Sequence, residues 1–244
     1  MSKGGGSTSI QKSRLGPVKD LRARALRVDK ILTREYGRKE TSRRRANPLD
    51  TLMLTILSQN TNDVNRDRAY RSLRAAFPHW EDVMVSDSRQ VAGAIRVGGL
   101  ANIKSKRIID VLRFINGERG RLDLAFLKRM TPAEVDAWLS QMKGVGPKTR
   151  AIVMLFSLGM PAFPVDTHVH RVTKRIGLIG KRISRERAQQ VLAVLVPESE
   201  FSNLHINLIE HGRAVCTARK PRCAICPIRS QCDYYHDVLV KGQT

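Results

Sequence analysis

The chain has 244 residues, enough for one large domain or two small ones with a sizeable core. Its 44 Lys and Arg against 22 Asp and Glu leave a formal charge of +22, far beyond what solubility needs, and point to a polyanionic partner, most often nucleic acid. No apolar run approaches the ~18–20 residues that span a bilayer, and MSKGGGSTSIQKSRLG lacks the apolar centre of a secretory signal, so no membrane partner and a cytoplasmic location are expected.

Residues 1–18 read as a disordered basic Gly/Ser tail. In 20–37, Leu21, Ala25, Val28, Leu32 and Tyr36 form one apolar stripe opposite Arg and Lys, which predicts a helix. RRRAN (43–47) is a basic linker, and Asn47-Pro48 suits a helix cap followed by a first-turn proline. LDTLMLTILSQ is apolar nearly all round between Leu52 and Leu57, which predicts a central, buried helix. A helix over 63–77 carries Ala69, Tyr70, Leu73, Ala76 and Phe77 on one face. Weaker helices are expected near 88–97 and 105–116, the second ending at Gly117. Thr131, Pro132 and Glu134 have the form of a capping box, with Trp138, Leu139 and Met142 as the apolar side. Further helices are expected from Pro147 to Leu158 and near 166–177, 184–196 and 201–213. No segment alternates as a strand does, so the fold class is all-α, with no repeat at a fixed period.

All four cysteines fall in CTARKPRCAICPIRSQC, at Cys216, Cys223, Cys226 and Cys232. In a cytosolic protein disulfides are rare, and four thiolates in one turn-rich segment can surround a tetrahedral zinc or an iron–sulfur cluster. Thiolate chemistry alone does not separate the two. Arg219, Lys220 and Arg222 lie inside the longest interval, where a metal would stiffen a basic loop suited to phosphate contact.

KGVGPKTRA (143–151) places Gly144 and Gly146 around Val145, between two helices. Glycines let the main chain approach a ligand closely, and the unpaired N–H groups of the following helix, near Thr149, can seat a phosphate without reading base sequence. Lys148 sits within one turn of that seat. An amine held in a dehydrated pocket near a positive helix end has a lowered pKa and becomes nucleophilic. The next acidic residue along the chain is Asp166, in PVDTHVHRV. A helix from Pro147 to Leu158 rises ~17 Å and the following connection reaches ~23 Å when extended, so Asp166 can return to the level of Lys148. The plain alternative for Asp166 is an N-cap for the next helix. His168 and His170 are read as capped or packed rather than catalytic.

KGVGPKTRAIVMLFSLGMPAFPVDTHVHRV followed by CTARKPRCAICPIRSQC resembles the endonuclease III family of helix-hairpin-helix DNA glycosylases, over about 47–236. The resemblance implies two all-α lobes with a DNA cleft between them. A six-helix barrel would occupy 41–160; a discontinuous lobe of 19–40 and 161–236 would carry a [4Fe-4S] cluster, with zinc the minor alternative and 237–244 a tail. It implies base-excision repair by a bifunctional DNA N-glycosylase and abasic-site lyase. Lys148 would attack C1′ of the sugar, Asp166 would assist, and β-elimination would cut the strand at damaged, oxidised pyrimidines or abasic sites. Double-stranded DNA is the implied partner, for a nucleoid-associated monomer. Leu100, in VGGLANIKSKR, falls where the family inserts a wedge. The family's LSAQATD reads LSQNTND here, so Asn60 stands where a gap-filling glutamine is expected, with Gln59 one residue earlier, and Ala101 replaces a larger aromatic. The alternatives are a monofunctional mismatch or adenine glycosylase, against which Lys148 argues, and a non-catalytic DNA-binding module.

Overall fold

The computed structural model describes residues 17–39 and 46–240; most of the N-terminal tail, the arginines of the 43–47 linker and the last four residues lie outside them. Among the described residues there are eleven α-helices and no strand: α1 Val18–Tyr36, α2 Pro48–Leu57, α3 Asp63–Ala76, α4 Trp80–Val85, α5 Ser88–Ala94, α6 Ala101–Arg119, α7 Pro132–Ser140, α8 Pro147–Ile152, α9 Thr167–Arg175, α10 Arg185–Leu195 and α11 Phe201–Ala214. None is long and apolar enough to cross a membrane.

The ends of these helices follow local chemistry. Asn47 Oδ1 accepts from the N–H of Leu49 at 2.8 Å, and Pro48 occupies the first turn of α2. Thr131 and Glu134 close the expected capping box on α7. Two expectations are corrected and one helix is added. The helix expected to stop at Gly117 is longer, because Gly117 has open space around it and Gly120, at φ 68°, supplies the left-handed cap. Trp80–Val85 forms a helix that was not anticipated, since six residues carry too little periodicity. The run after Lys148 is α-helical only to Ile152 and widens to a π-turn over Val153–Leu158, which Gly159 (φ 71°) ends.

The buried side chains form two clusters. The first runs from Leu49 to Leu158 around α2, whose Leu52, Met53, Ile56 and Leu57 are fully buried, as an apolar helix without a polar face requires. The second joins Ala25, Val28 and Leu32 of α1 to Val169 and Val172 of α9, Leu192 of α10, Leu204 and Leu208 of α11, and Cys232. A helix from the start of the chain thus completes a core built mainly from its end. Burying a Leu or Val contributes about 1.5–3 kcal/mol, so the apolar stripe of α1 is what recruits it. α1 also brings polar groups: Asn203 Nδ2 donates to Asp29 Oδ1 at 2.7 Å and Thr33 Oγ1 at 2.8 Å.

Candidate active site

A cleft of about 900 Å³ is lined by Thr51 and Thr55 of α2 on one side, by Ile206 and Ile209 of α11 on the other, and by the 144–149 turn. Its size suits a nucleotide-sized ligand. Lys148, on the first turn of α8, and Asp166, at the start of α9, both face this space.

The turn before Lys148 is held from two sides. Gly144 adopts φ 86°, and a Cβ there would lie 2.0 Å from Arg107 Nε. Gln59 Nε2 donates to the Gly144 carbonyl at 3.3 Å while Arg107 donates to Gln59 Oε1. Arg150 donates to Val145 O at 3.3 Å and pairs with Asp136 at 2.7 Å. Gly146 is different: its backbone is extended, it is exposed, and nothing lies within 4 Å of where a Cβ would stand. Only Gly144 therefore needs glycine for its torsions, whereas Gly146 keeps the surface before α8 open.

Lys148 is half-buried. Burial holds its pKa below the usual lysine value, with Arg66 and Arg213 adding to the depression and Asp166 and Asp63 opposing it. Asp166 Oδ1 accepts from the N–H of Val169 at 2.7 Å and so does cap α9. The cap and the proximity to Lys148 are compatible, because a carboxylate has a second oxygen to spare. Three neighbours were not singled out from the sequence. His205 is buried in the cleft wall, bonded through Nδ1 to Pro164 O at 2.9 Å, and its pKa is pushed down to about 4, chiefly by burial. Asp63, at the first turn of α3, is held below the usual carboxylate range, chiefly by a hydrogen bond from Arg213. Arg66 bonds Asp63 at 3.0 Å and Asp67 at 2.7 Å. Each is an ordinary polar residue in its own segment, and only proximity marks it.

Other expected contact residues divide. Leu100 is 48 % exposed at φ 51°, and Asn60 is exposed at φ 52°; both project outward. Thr149 lines the cleft with little exposed surface, and Arg219 and Lys220 are exposed. Three make contacts within the protein. Val145 packs in the first core at 3 % exposure, so only its peptide can meet a phosphate. Gln59 is engaged by Gly144 and Arg107 and braces the turn from within. Arg222 donates to Ala214 O and ties down the end of α11. His168 and His170 are bonded to Arg171 and Ile183 O respectively, as packed histidines are.

Cys216, Cys223, Cys226 and Cys232 are all unpaired thiols that line one cavity, between α11 and the loop after it. Arg175 Nη1 donates to Cys216 Sγ at 3.2 Å, and backbone N–H groups of Ile228, Tyr234 and Tyr235 point at Cys226 and Cys232. Donors aimed at sulfur favour thiolates, the ligand form a metal needs, while burial pushes the Cys223, Cys226 and Cys232 thiols up. Four sulfurs around a shared cavity supply the donor set that an iron–sulfur cluster needs.

Residues 53–198 match the model of the HhH-GPD superfamily of base excision DNA repair proteins, and residues 216–232 match the iron–sulfur binding domain of endonuclease III. An Arabidopsis thaliana protein named as a DNA glycosylase is 40 % identical over 70 % of this chain, which spans 59 % of that protein's length. Endonuclease III of Sulfolobus acidocaldarius is 33 % identical over 78 % of this chain and 84 % of its own. Endonuclease III of Rickettsia conorii is 34 % identical over 79 % of this chain and 87 % of its own. The fold superposes on a non-covalent endonuclease III–DNA complex with a TM-score of 0.77 at 23 % identity, covering 90 % of this chain and 98 % of that one. With the hairpin, the cleft and the cysteine cavity in this order, the chain belongs to the endonuclease III family of HhH-GPD base excision DNA repair proteins, and it carries that family's iron–sulfur binding domain.

Proposed function

We propose that the chain is a bifunctional DNA glycosylase and abasic-site lyase acting on oxidised pyrimidines in double-stranded DNA, as a monomer. The observation that carries this reading is Lys148: an amine whose pKa is depressed by burial, opposite a carboxylate, in a cleft of nucleotide size. Base chemistry on a duplex requires the nucleotide to leave the stack, and the hairpin amides beside Lys148 suit the phosphate of a flipped-out nucleotide.

The neutral Nζ of Lys148 attacks C1′; the C1′–N bond breaks and the base leaves with the bonding electron pair and a proton. The Nζ lone pair then opens the C1′–O4′ bond, O4′ takes a proton from solvent, and the product is a protonated Schiff base that keeps one Nζ proton. Removal of a C2′ proton then expels the 3′ phosphate, and water releases the lysine. Asp166 steadies the cationic stages, its orientation fixed by the N-cap bond to Val169. The cysteine set would hold a [4Fe-4S] cluster that stiffens the Arg219–Lys220 loop near the DNA backbone. A mismatch-specific glycosylase without lyase activity is disfavoured by the presence of Lys148.

Borohydride added to the protein with abasic-site duplex tests the reading. A covalent adduct is expected from wild type and none from Lys148→Met; no adduct from wild type would remove the lyase, and an undiminished adduct from Lys148→Met would move the nucleophile elsewhere.

A further inference from the structure

Lys104, on the first turn of α6, is 1 % exposed. Its ammonium donates to two main-chain carbonyls, Leu57 O at 2.7 Å and Gly98 O at 2.8 Å, and burial lowers its pKa. A buried ammonium held only by carbonyls is an expensive way to fill space that an apolar side chain could occupy. What it joins explains its presence.

Leu57 ends α2, three residues before Asn60; Gly98 ends a 3₁₀ turn, two residues before Leu100. Asn60 (φ 52°) and Leu100 (φ 51°) are the two non-glycine residues with positive φ among the described residues. Strained torsions persist only where the surroundings over-determine them, and here both strained turns hang from the same nitrogen. The tether is backed from a third side: a Cβ on Gly98 would meet Ala69 Cβ of α3 at 3.0 Å and Lys104 Nζ at 4.0 Å. Leu100 is half-exposed and Asn60 exposed, so the two side chains leave this anchored base outward.

We propose that Lys104 is a positioning residue that holds the Asn60 turn and the Leu100 turn as one rigid two-pronged probe, so that wedge and gap-filler enter the duplex together. This rests on the reading of the chain as a base-flipping glycosylase. The two prongs keep a fixed separation because one ammonium spans their bases, and loss of either bond frees one prong from the other. Chemistry at Lys148 on DNA that is already unstacked does not need the probe.

The test compares wild type, Lys104→Met and Gly98→Ala. One readout is the fluorescence of 2-aminopurine opposite a tetrahydrofuran abasic analogue in duplex DNA, which reports unstacking and needs no chemistry. The other is the rate of borohydride adduct formation with duplex against single-stranded abasic DNA. Lys104→Met should lower the fluorescence rise and reduce the duplex-to-single-strand rate ratio by roughly tenfold or more. Gly98→Ala, which displaces the tether without removing the ammonium, should shift both in the same direction by less. Added to Leu100→Ala, Lys104→Met should cost less than it does alone, because the prong it steadies is gone. A rate ratio unchanged in Lys104→Met, with both rates intact or both reduced alike, would mean that Lys104 serves general stability and would overturn the proposal. If wild type forms no adduct with either DNA, the lyase reading fails, while the fluorescence still decides the role of Lys104.

Discussion

Arg213 Nη1 donates to Asp63 Oδ2 at 2.6 Å, joining α11 to the first turn of α3 beside Lys148 across 150 residues of sequence. Both side chains are nearly half exposed, so the pair itself contributes at most about 1 kcal/mol to stability. The pair also acts on Lys148, whose ammonium Asp63 favours and Arg213 disfavours. Asp63→Asn should therefore move the acid limb of the adduct-formation rate to lower pH, and Arg213→Gln should move it to higher pH. Shifts in one common direction would show that the pair acts through geometry rather than charge.

Gly144 and Gly146 should respond differently to alanine. Gly144→Ala forces a Cβ into Arg107 at φ 86° and should cost about 1–3 kcal/mol in denaturant unfolding. Gly146→Ala meets no atom and keeps an ordinary extended backbone, so its stability should stay within ~0.5 kcal/mol. DNA affinity should fall for both, through a displaced hairpin in one and a methyl at the phosphate seat in the other. Equal stability losses would contradict this.

The pH dependence of stability carries two opposed contributions. His205 has its pKa lowered from 6.5 to about 4, so the unfolded chain binds the extra proton between those values and stability falls as pH drops through them. Asp29 has its pKa raised from 3.8 to about 6, chiefly by burial, so the folded chain holds the extra proton and stability falls as pH rises through that window. Relative to wild type, His205→Asn should gain stability as pH is lowered from 6.5 to 4, by up to on the order of 3 kcal/mol. Asp29→Asn should gain as pH is raised from 3.8 to 6. Unfolding titrations across this range decide the signs.

Protein purified in air should be yellow-brown and hold about four iron and four sulfide per chain. Cys226→Ser should bleach the visible absorbance, and DNA affinity should drop with it, because the loop carrying Arg219 and Lys220 loses its cross-link. Stoichiometric zinc in a colourless sample would contradict the cluster.

Duplex binding should weaken steeply with salt, with log K falling by about 0.9 per phosphate neutralised for each decade of salt. Removing the exposed charges of Arg219 and Lys220 together should reduce that slope by about 2 and weaken binding for all sequences alike. An unchanged slope would place this loop away from the DNA.

Some features were legible along the chain because the physics that makes them is local. The four cysteines declare a metal site by spacing, the capping box of Thr131 and Glu134 closes within one turn, and the all-round apolar run of α2 can only be buried. Lys148 was marked by its glycine-rich entrance. Asp166 could be placed opposite it only by chain reach, and it turned out to cap α9 as well as face the cleft. Local reading misjudged Gly117, since whether a glycine ends a helix depends on the torsion it adopts rather than on its presence; the left-handed cap fell to Gly120.

Contacts between distant segments were decided only by the tertiary structure. Gln59, adjacent to Asn60 and alike in chemistry, is drawn inward by Gly144 and Arg107, while Asn60 is turned outward by a left-handed torsion. His205, the Asp63–Arg213 pair and Lys104 are each a common residue on a helix, and each has at least one partner 41 to 150 residues away. The sequence by itself determined the helical class and singled out the four cysteines and Lys148 as candidates, because propensity, spacing and periodicity act over a few residues. Packing determined the rest, because the field around Lys148 and the tether between the Asn60 and Leu100 turns exist only once segments distant in sequence are brought together.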